Sequence, residues 1–147
     1  MDFTEIFGKS GFKTVIKGLC NQVGYKIAEI DENMAKLIFE TDGVFDQTLY
    51  IISYGKTLEF SVPSSMTFDE DDADDDIIKS LSLYLLKRNS SRKVGFWAIE
   101  QADNSYVFSI MHNSEMTLIN PEYFAFIIQS LVSECDEFDN SLKRFSR

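Results

Sequence analysis

At 147 residues, with 44% hydrophobic content and thirteen Phe, the chain has the size of one domain and enough apolar mass to fold without disulfides or metals. Its net charge of −10 is local: seven acids crowd residues 69–76, leaving 17 acids against 14 bases elsewhere, a balance that argues against nucleic acid as a partner. No apolar run nears the roughly 20 residues of a bilayer span, and the opening Met1-Asp2-Phe3-Thr4-Glu5 lacks the basic and apolar parts of a secretory leader, so a cytoplasmic protein with no membrane partner is expected.

From Phe12, the apolar positions Val15, Ile16, Leu19, Cys20 and Val23 follow helical spacing, and Gly24 stands where a helix C′ residue belongs. Ser10 is the expected N-cap, with Phe3, Ile6 and Phe7 forming an earlier turn. The period then shortens to two over Tyr25 to Ile30 and Met34 to Glu40, around the turn residues Asp31-Glu32-Asn33. A strand from Gln47 to Tyr54 follows, rich in β-branched and aromatic residues, and Gly55-Lys56 reverses the chain. In Thr57 to Val62, Leu58, Phe60 and Val62 alternate with Thr57, Glu59 and Ser61, a strand wet on one side that Pro63 is expected to end.

Residues 64–76 are read as one irregular acidic loop within a single domain spanning 1–147. A calcium loop starting at Asp72 would need Gly where Ile77 stands, and one starting at Asp69 places Ala73 at a ligand position; no metal site is assigned. The acids instead lead into a helix from Asp76 to Asn89, whose N-terminal dipole they complement. Ile77, Ile78, Leu81, Tyr84, Leu85 and Leu86 give that helix a broad apolar face, so it is expected to be mostly buried, with Asn89 as a left-handed stop. Lys87, Arg88, Arg92 and Lys93 cluster at its end as dipole partners.

A second hairpin runs Lys93 to Gln101 and Tyr106 to Asn113 around Ala102-Asp103-Asn104-Ser105. Its first strand is apolar on both sides, with Val94, Phe96 and Ala98 against Gly95, Trp97 and Ile99. This makes Tyr50, Tyr54 and Trp97 candidates for a partner-binding surface. The last helix has Asn120 as N-cap and Pro121 at N1, and its apolar series runs through Phe138, Leu142 and Phe145. It either breaks near Asp139-Asn140-Ser141 or packs its tail on another molecule, so Phe138, Leu142 and Phe145 join the candidate partner residues.

No sequence signature of catalysis, cofactor or metal accompanies these elements. His112 is the single histidine, no glycine elbow surrounds a serine, no glycine-rich phosphate loop occurs, and Cys20 and Cys135 fall on apolar helix faces as buried thiols. A non-enzymatic α+β domain that binds a protein partner or itself as a dimer is therefore expected; the alternative is an acidic immunity or inhibitor protein whose charges steer toward a basic partner.

The order helix, three or four strands, helix, two strands, helix resembles the type III secretion chaperone-like fold, particularly its YbjN-like family. Leu85-Leu86-Lys87-Arg88-Asn89 before Gly95-Phe96-Trp97-Ala98 resembles the family's helix-end Leu-Leu-x-x-Asn preceding a strand, and Leu131-Val132-Ser133-Glu134-Cys135-Asp136 its apolar stretch ending in an acid. The resemblance implies two layers, with helices packed on a twisted antiparallel sheet, and often a dimer. For the chaperones it implies capture of an extended segment of a secreted protein, and for YbjN-like members regulatory roles. The acidic run is not part of this pattern.

Overall fold

The computed structural model describes residues 11–145, with side chains through Lys143. The expected Ser10 cap and the Phe3, Ile6 and Phe7 turn lie outside the described residues. Helix α1 (Gly11–Val23) is followed by β1 (Glu29–Ile30), β2 (Met34–Phe39), β3 (Gln47–Tyr54) and β4 (Thr57–Asp69), then α2 (Asp76–Asn89), β5 (Phe96–Ala102), β6 (Ser105–Glu115) and α3 (Pro121–Phe145). The strands form one antiparallel six-stranded sheet in the order β1-β2-β3-β4-β6-β5, giving the expected α+β architecture.

Register fixes which side chains share a face. Leu37, Leu49, Phe60, Ile110 and Trp97 point to a near face, where α3 crosses β3, β4 and β6 while α1 packs on α3. Phe60 and Phe124 meet there with ring centroids 6.0 Å apart, and Tyr25, just after α1, sets its ring edge against Phe39 at 5.2 Å. Burial of these rings supplies much of the folding free energy, since removing apolar surface from water is worth about 25 cal/mol per Å². Gly24 takes φ +79° at the end of α1, as its C′ position requires.

Several expectations need correction. Pro63 does not end β4: the strand runs 13 residues to Asp69, with an irregularity between Pro63 and Thr67, where a residue lacking N–H is tolerated. The irregular loop expected over 64–76 therefore reduces to a 3₁₀ turn (Glu70–Asp72) and the few residues before α2. Ser64 and Ser65 look like loop residues in sequence, yet buried Asp139 of α3 accepts from the Ser65 amide and hydroxyl, both at 2.8 Å.

The second correction is α2, which buries only Ile78 and Leu85; it rests mainly on the outer strand β5 and meets α3 through Arg88. Asn89 is not a left-handed stop either; the chain continues through Ser90 in right-handed geometry while the Asn89 side chain bonds elsewhere. Of the two outcomes expected for α3, the break near residues 139–141 does not occur: the helix runs 25 residues, about 37 Å at 1.5 Å per residue. No described helix is long and apolar enough to cross a membrane.

Candidate partner-binding surfaces

The connection from α2 into β5 is held more tightly than its polar sequence suggests. Asp75 caps α2, accepting from the Ile77 and Ile78 amides at 2.8 and 3.4 Å, which aims the helix along β5. At the other end Asn89 brackets Trp97, accepting from its N–H at 2.6 Å and donating to its C=O at 3.0 Å. Glu134, buried on α3, accepts from Arg88 Nε at 2.5 Å and also pairs with Arg92, whose Nη2 donates to the Val94 carbonyl at 3.0 Å. Two guanidinium groups against one desolvated carboxylate make a charge-assisted tie between three elements. The Glu134 hydrogen bond in turn raises the pKa of Arg88.

Gly95 sits at φ +83°, where a Cβ would come within 2.5 Å of Leu131 Cδ2, so both conformation and space demand glycine. Its N–H donates to His112 Nδ1 at 3.1 Å, and His112 Nε2 lies 3.3 Å from the Tyr123 hydroxyl. Accepting from Gly95 requires a neutral ring with Nδ1 unprotonated. Burial pushes the His112 pKa below its usual value.

This framework presents an apolar surface. Ser82, Leu85 and Leu86 of α2 and Trp97, Ile99 and Phe108 of the sheet line a groove of about 150 Å³. Of these, Leu86 and Ile99 are exposed by about half or more, as are Ile77, Leu83 and Tyr84 elsewhere on α2. Because β5 ends the sheet order, its outer backbone edge has no strand beside it among the described residues, which is the arrangement that accepts another strand.

The residues singled out in the sequence do not form one patch. Tyr50 pairs across from Ser61, and Ser61 from Met111, placing Tyr50 on the far face of the sheet, opposite α3; Tyr54 shares that face and is exposed. Trp97 pairs with Ile110 on the near face and is 3% exposed, its ring 4.9 Å from that of Phe138. Phe138 is likewise buried, and Leu142 packs on the same core. The side chain of Phe145 lies outside the described residues.

The far face carries polar chemistry that sequence spacing did not reveal. Glu100 of β5 reaches over β6 and accepts from Ser61 Oγ of β4 at 2.6 Å. Glu59 has its pKa raised by burial and by the nearby Glu100 carboxylate. Neither glutamate has an ion-pair partner among the described residues. Register alone brings these groups together: Glu100 and Ser61 lie 39 positions apart in the chain.

The nucleophilic inventory of the described residues is quiet. Burial pushes Cys20 up to about 11 and moves Cys135 further in the same direction, so neither supplies a thiolate at neutral pH.

Comparison with known proteins gives no family model that matches and no curated protein that matches. Solved structures do match. The crystal structure of YbjN from E. coli aligns with TM-score 0.62 at 18% identity, covering 95% of this chain and 96% of that one. The HopA1–SchA chaperone–effector complex aligns with TM-score 0.65 at 9% identity, covering 95% and 98%. The ExsC–ExsE complex aligns at 0.61 and 12%, covering 90% and 93%. The helix order, the continuous sheet and these near full-length alignments agree: the chain has the fold these structures share, the type III secretion chaperone-like, YbjN-like fold.

Proposed function

We propose that this chain is a non-enzymatic, chaperone-like protein-binding domain of the cytoplasm that covers its α2–β5 surface by association, as a homodimer or with a protein partner. The observation that carries this reading is the apolar groove between α2 and β5, whose lining residues Leu86 and Ile99 are exposed, beside a strand edge with no neighbouring strand among the described residues. Contiguous apolar surface rimmed by polar residues marks an interaction site. The HopA1–SchA structure is of a chaperone with an effector, which supports a protein as the bound species. Sedimentation velocity of the wild type and of Leu86→Asp tests it. The wild type is expected to sediment above monomer mass, alone or with its partner, and Leu86→Asp as a folded monomer. A wild-type monomer that binds no protein, with Leu86→Asp indistinguishable from it, overturns the reading.

A second reading follows from the exposed acids Glu70, Asp71, Asp72 and Asp74, which suit a protein that neutralises a basic partner. Steering of this kind acts on association rate and fades with salt. Replacing those four acids by Gln and Asn is expected to slow association severalfold; an unchanged rate removes this reading.

A further inference from the structure

The charges of the α2 segment are sorted along its length. Residues 69–76 carry seven acids and no base, residues 87–93 carry Lys87, Arg88, Arg92 and Lys93 and no acid, and the stretch between them holds one charge, Lys79. The helix dipole accounts for the inner members of both groups: Asp75 caps α2, Asp76 opens it, and Lys87 and Arg88 close it. It does not account for the outer ones, because its influence ends within the first and last turn. Glu70, Asp71 and Asp72 form a separate 3₁₀ turn, and Lys93 lies beyond Asn89, where α2 ends. These four are exposed, as is Lys87, and none of the five has an ion-pair partner among the described residues. Nor can the two ends relieve each other within one copy: α2 spans 14 residues, about 21 Å at 1.5 Å per residue, against a screening length of about 8 Å. Between the ends the surface is apolar. Leu83 and Leu86 are exposed, and Leu86 lines the groove it shares with Ile99 of β5. Helical spacing puts Asp76, Leu83 and Lys87 on one outward stripe.

We propose that the occupant of the α2–β5 surface is a second copy of this chain, related by a two-fold axis that sets the two α2 helices antiparallel, so that Glu70, Asp71 and Asp72 of each copy meet Lys87 and Lys93 of the other. This rests on the protein-binding reading above and names its partner. A two-fold contact is self-complementary: whatever the acidic end of one copy meets, the acidic end of the other meets as well. Antiparallel helices therefore satisfy both acidic ends and both basic ends at once, with Leu83, Leu86 and Ile99 as the apolar centre. Parallel helices would set acids on acids. The outcome is an apolar centre inside a charged rim, the usual anatomy of an interface. Whole copies at −10 repel each other, so the rim pairs act at contact, within the screening length, and select orientation more than they add affinity.

The test is sedimentation velocity on the intact protein with two charge-reversed variants. Glu70→Lys/Asp71→Lys/Asp72→Lys reverses the outer acids, and Lys87→Glu/Lys93→Glu reverses the unpaired bases; all five positions are exposed, and circular dichroism checks that each variant folds. At about 0.15 M salt either variant alone is expected to dimerise at least about tenfold more weakly than the wild type, since each sets like charges together, and an equimolar mixture is expected to recover to within about threefold as a heterodimer. The wild-type dimer is expected to weaken at least about threefold between about 0.15 and 1 M salt, where an apolar contact alone would hold. Variants that dimerise like the wild type, a mixture no tighter than its components, or a wild-type dimer indifferent to salt overturns the antiparallel charge pairing. If Leu86→Asp still dissociates that dimer, the protein-binding reading is intact. A monomeric wild type overturns the second copy as occupant, and the protein-binding reading is then judged separately, by whether the chain sediments with a different protein.

Discussion

Glu134 is the strongest single test of how the binding surface is held. Glu134, 4% exposed, faces Arg88 and Arg92 and ties α3 to the end of α2 and to the α2–β5 connection. Glu134→Gln keeps the shape but removes the charge that compensates two guanidinium groups. Breaking a fully buried pair costs about 3–5 kcal/mol. Here the arginine side chains retain 35% and 18% of their exposure, so solvent recovers part of it, leaving about 2–3 kcal/mol. At about 2–4 °C per kcal/mol for a chain of this size, the thermal midpoint is expected to fall by roughly 4–12 °C. Urea unfolding followed by Trp97 fluorescence measures the same loss, because Trp97 lies inside the element that loosens. A change below about 0.5 kcal/mol, the range of ordinary surface substitutions, would refute the reasoning. Glu137→Gln provides the contrast: its contact to Arg88 is 3.8 Å long and its side chain is 73% exposed, so stability is expected to stay within about 0.5 kcal/mol.

Gly95→Ala is expected to cost about 2–4 kcal/mol in denaturant unfolding, combining left-handed strain with the Leu131 clash. Gly24→Ala, at φ +79° with open space around it, should cost about 1 kcal/mol through strain alone. Asn89→Ala removes both bonds to Trp97 and is expected to cost about 2 kcal/mol and to speed hydrogen exchange at the Trp97 amide. His112 has a folded pKa below its unfolded value of about 6.5. Its contribution is therefore full above that value and is lost as pH falls from about 6.5 toward the folded pKa; in His112→Gln, stability measured between pH 7 and pH 5 is expected to decline less steeply. Glu59 has the opposite sign: its pKa is raised, so its ionisation opposes folding near neutral pH and weakens that opposition as pH falls. Glu59→Gln is expected to raise the urea midpoint at pH 7.

Local rules of chain geometry account for the parts of the fold that were readable in advance. β3 runs Gln47–Tyr54 as its β-branched and aromatic density indicates, and the alternation Leu58, Phe60, Val62 is the inner side of β4, each residue 0% exposed. Asn120 caps α3, accepting from the Tyr123 amide at 2.8 Å. The second half of β4 was hidden because its polar residues are satisfied by Asp139, 74 positions away, which no local pattern encodes. Burial of α2 escapes the sequence for a different reason: periodicity shows that a helix has an apolar face but not whether its own chain supplies the cover. The Tyr50, Tyr54 and Trp97 grouping failed on register. Alternation within each strand was legible, but which side of β3 matches which side of β5 depends on two intervening strands. The Glu59, Ser61 and Glu100 constellation was invisible in sequence for the same reason.

The two ends of the sheet are unequal, and this sets how far strand-to-strand assembly could extend. β1 contributes two residues, Glu29 and Ile30, with Glu29 tied to Lys36, whereas β5 offers seven residues without proline or lysine. An edge of two residues is a poor template for another strand, and a charged one poorer still. If β5 meets β5 of a second copy about a two-fold axis, both long edges are consumed at once and the remaining ends are the short ones. Growth then closes at two copies instead of continuing as a fibre.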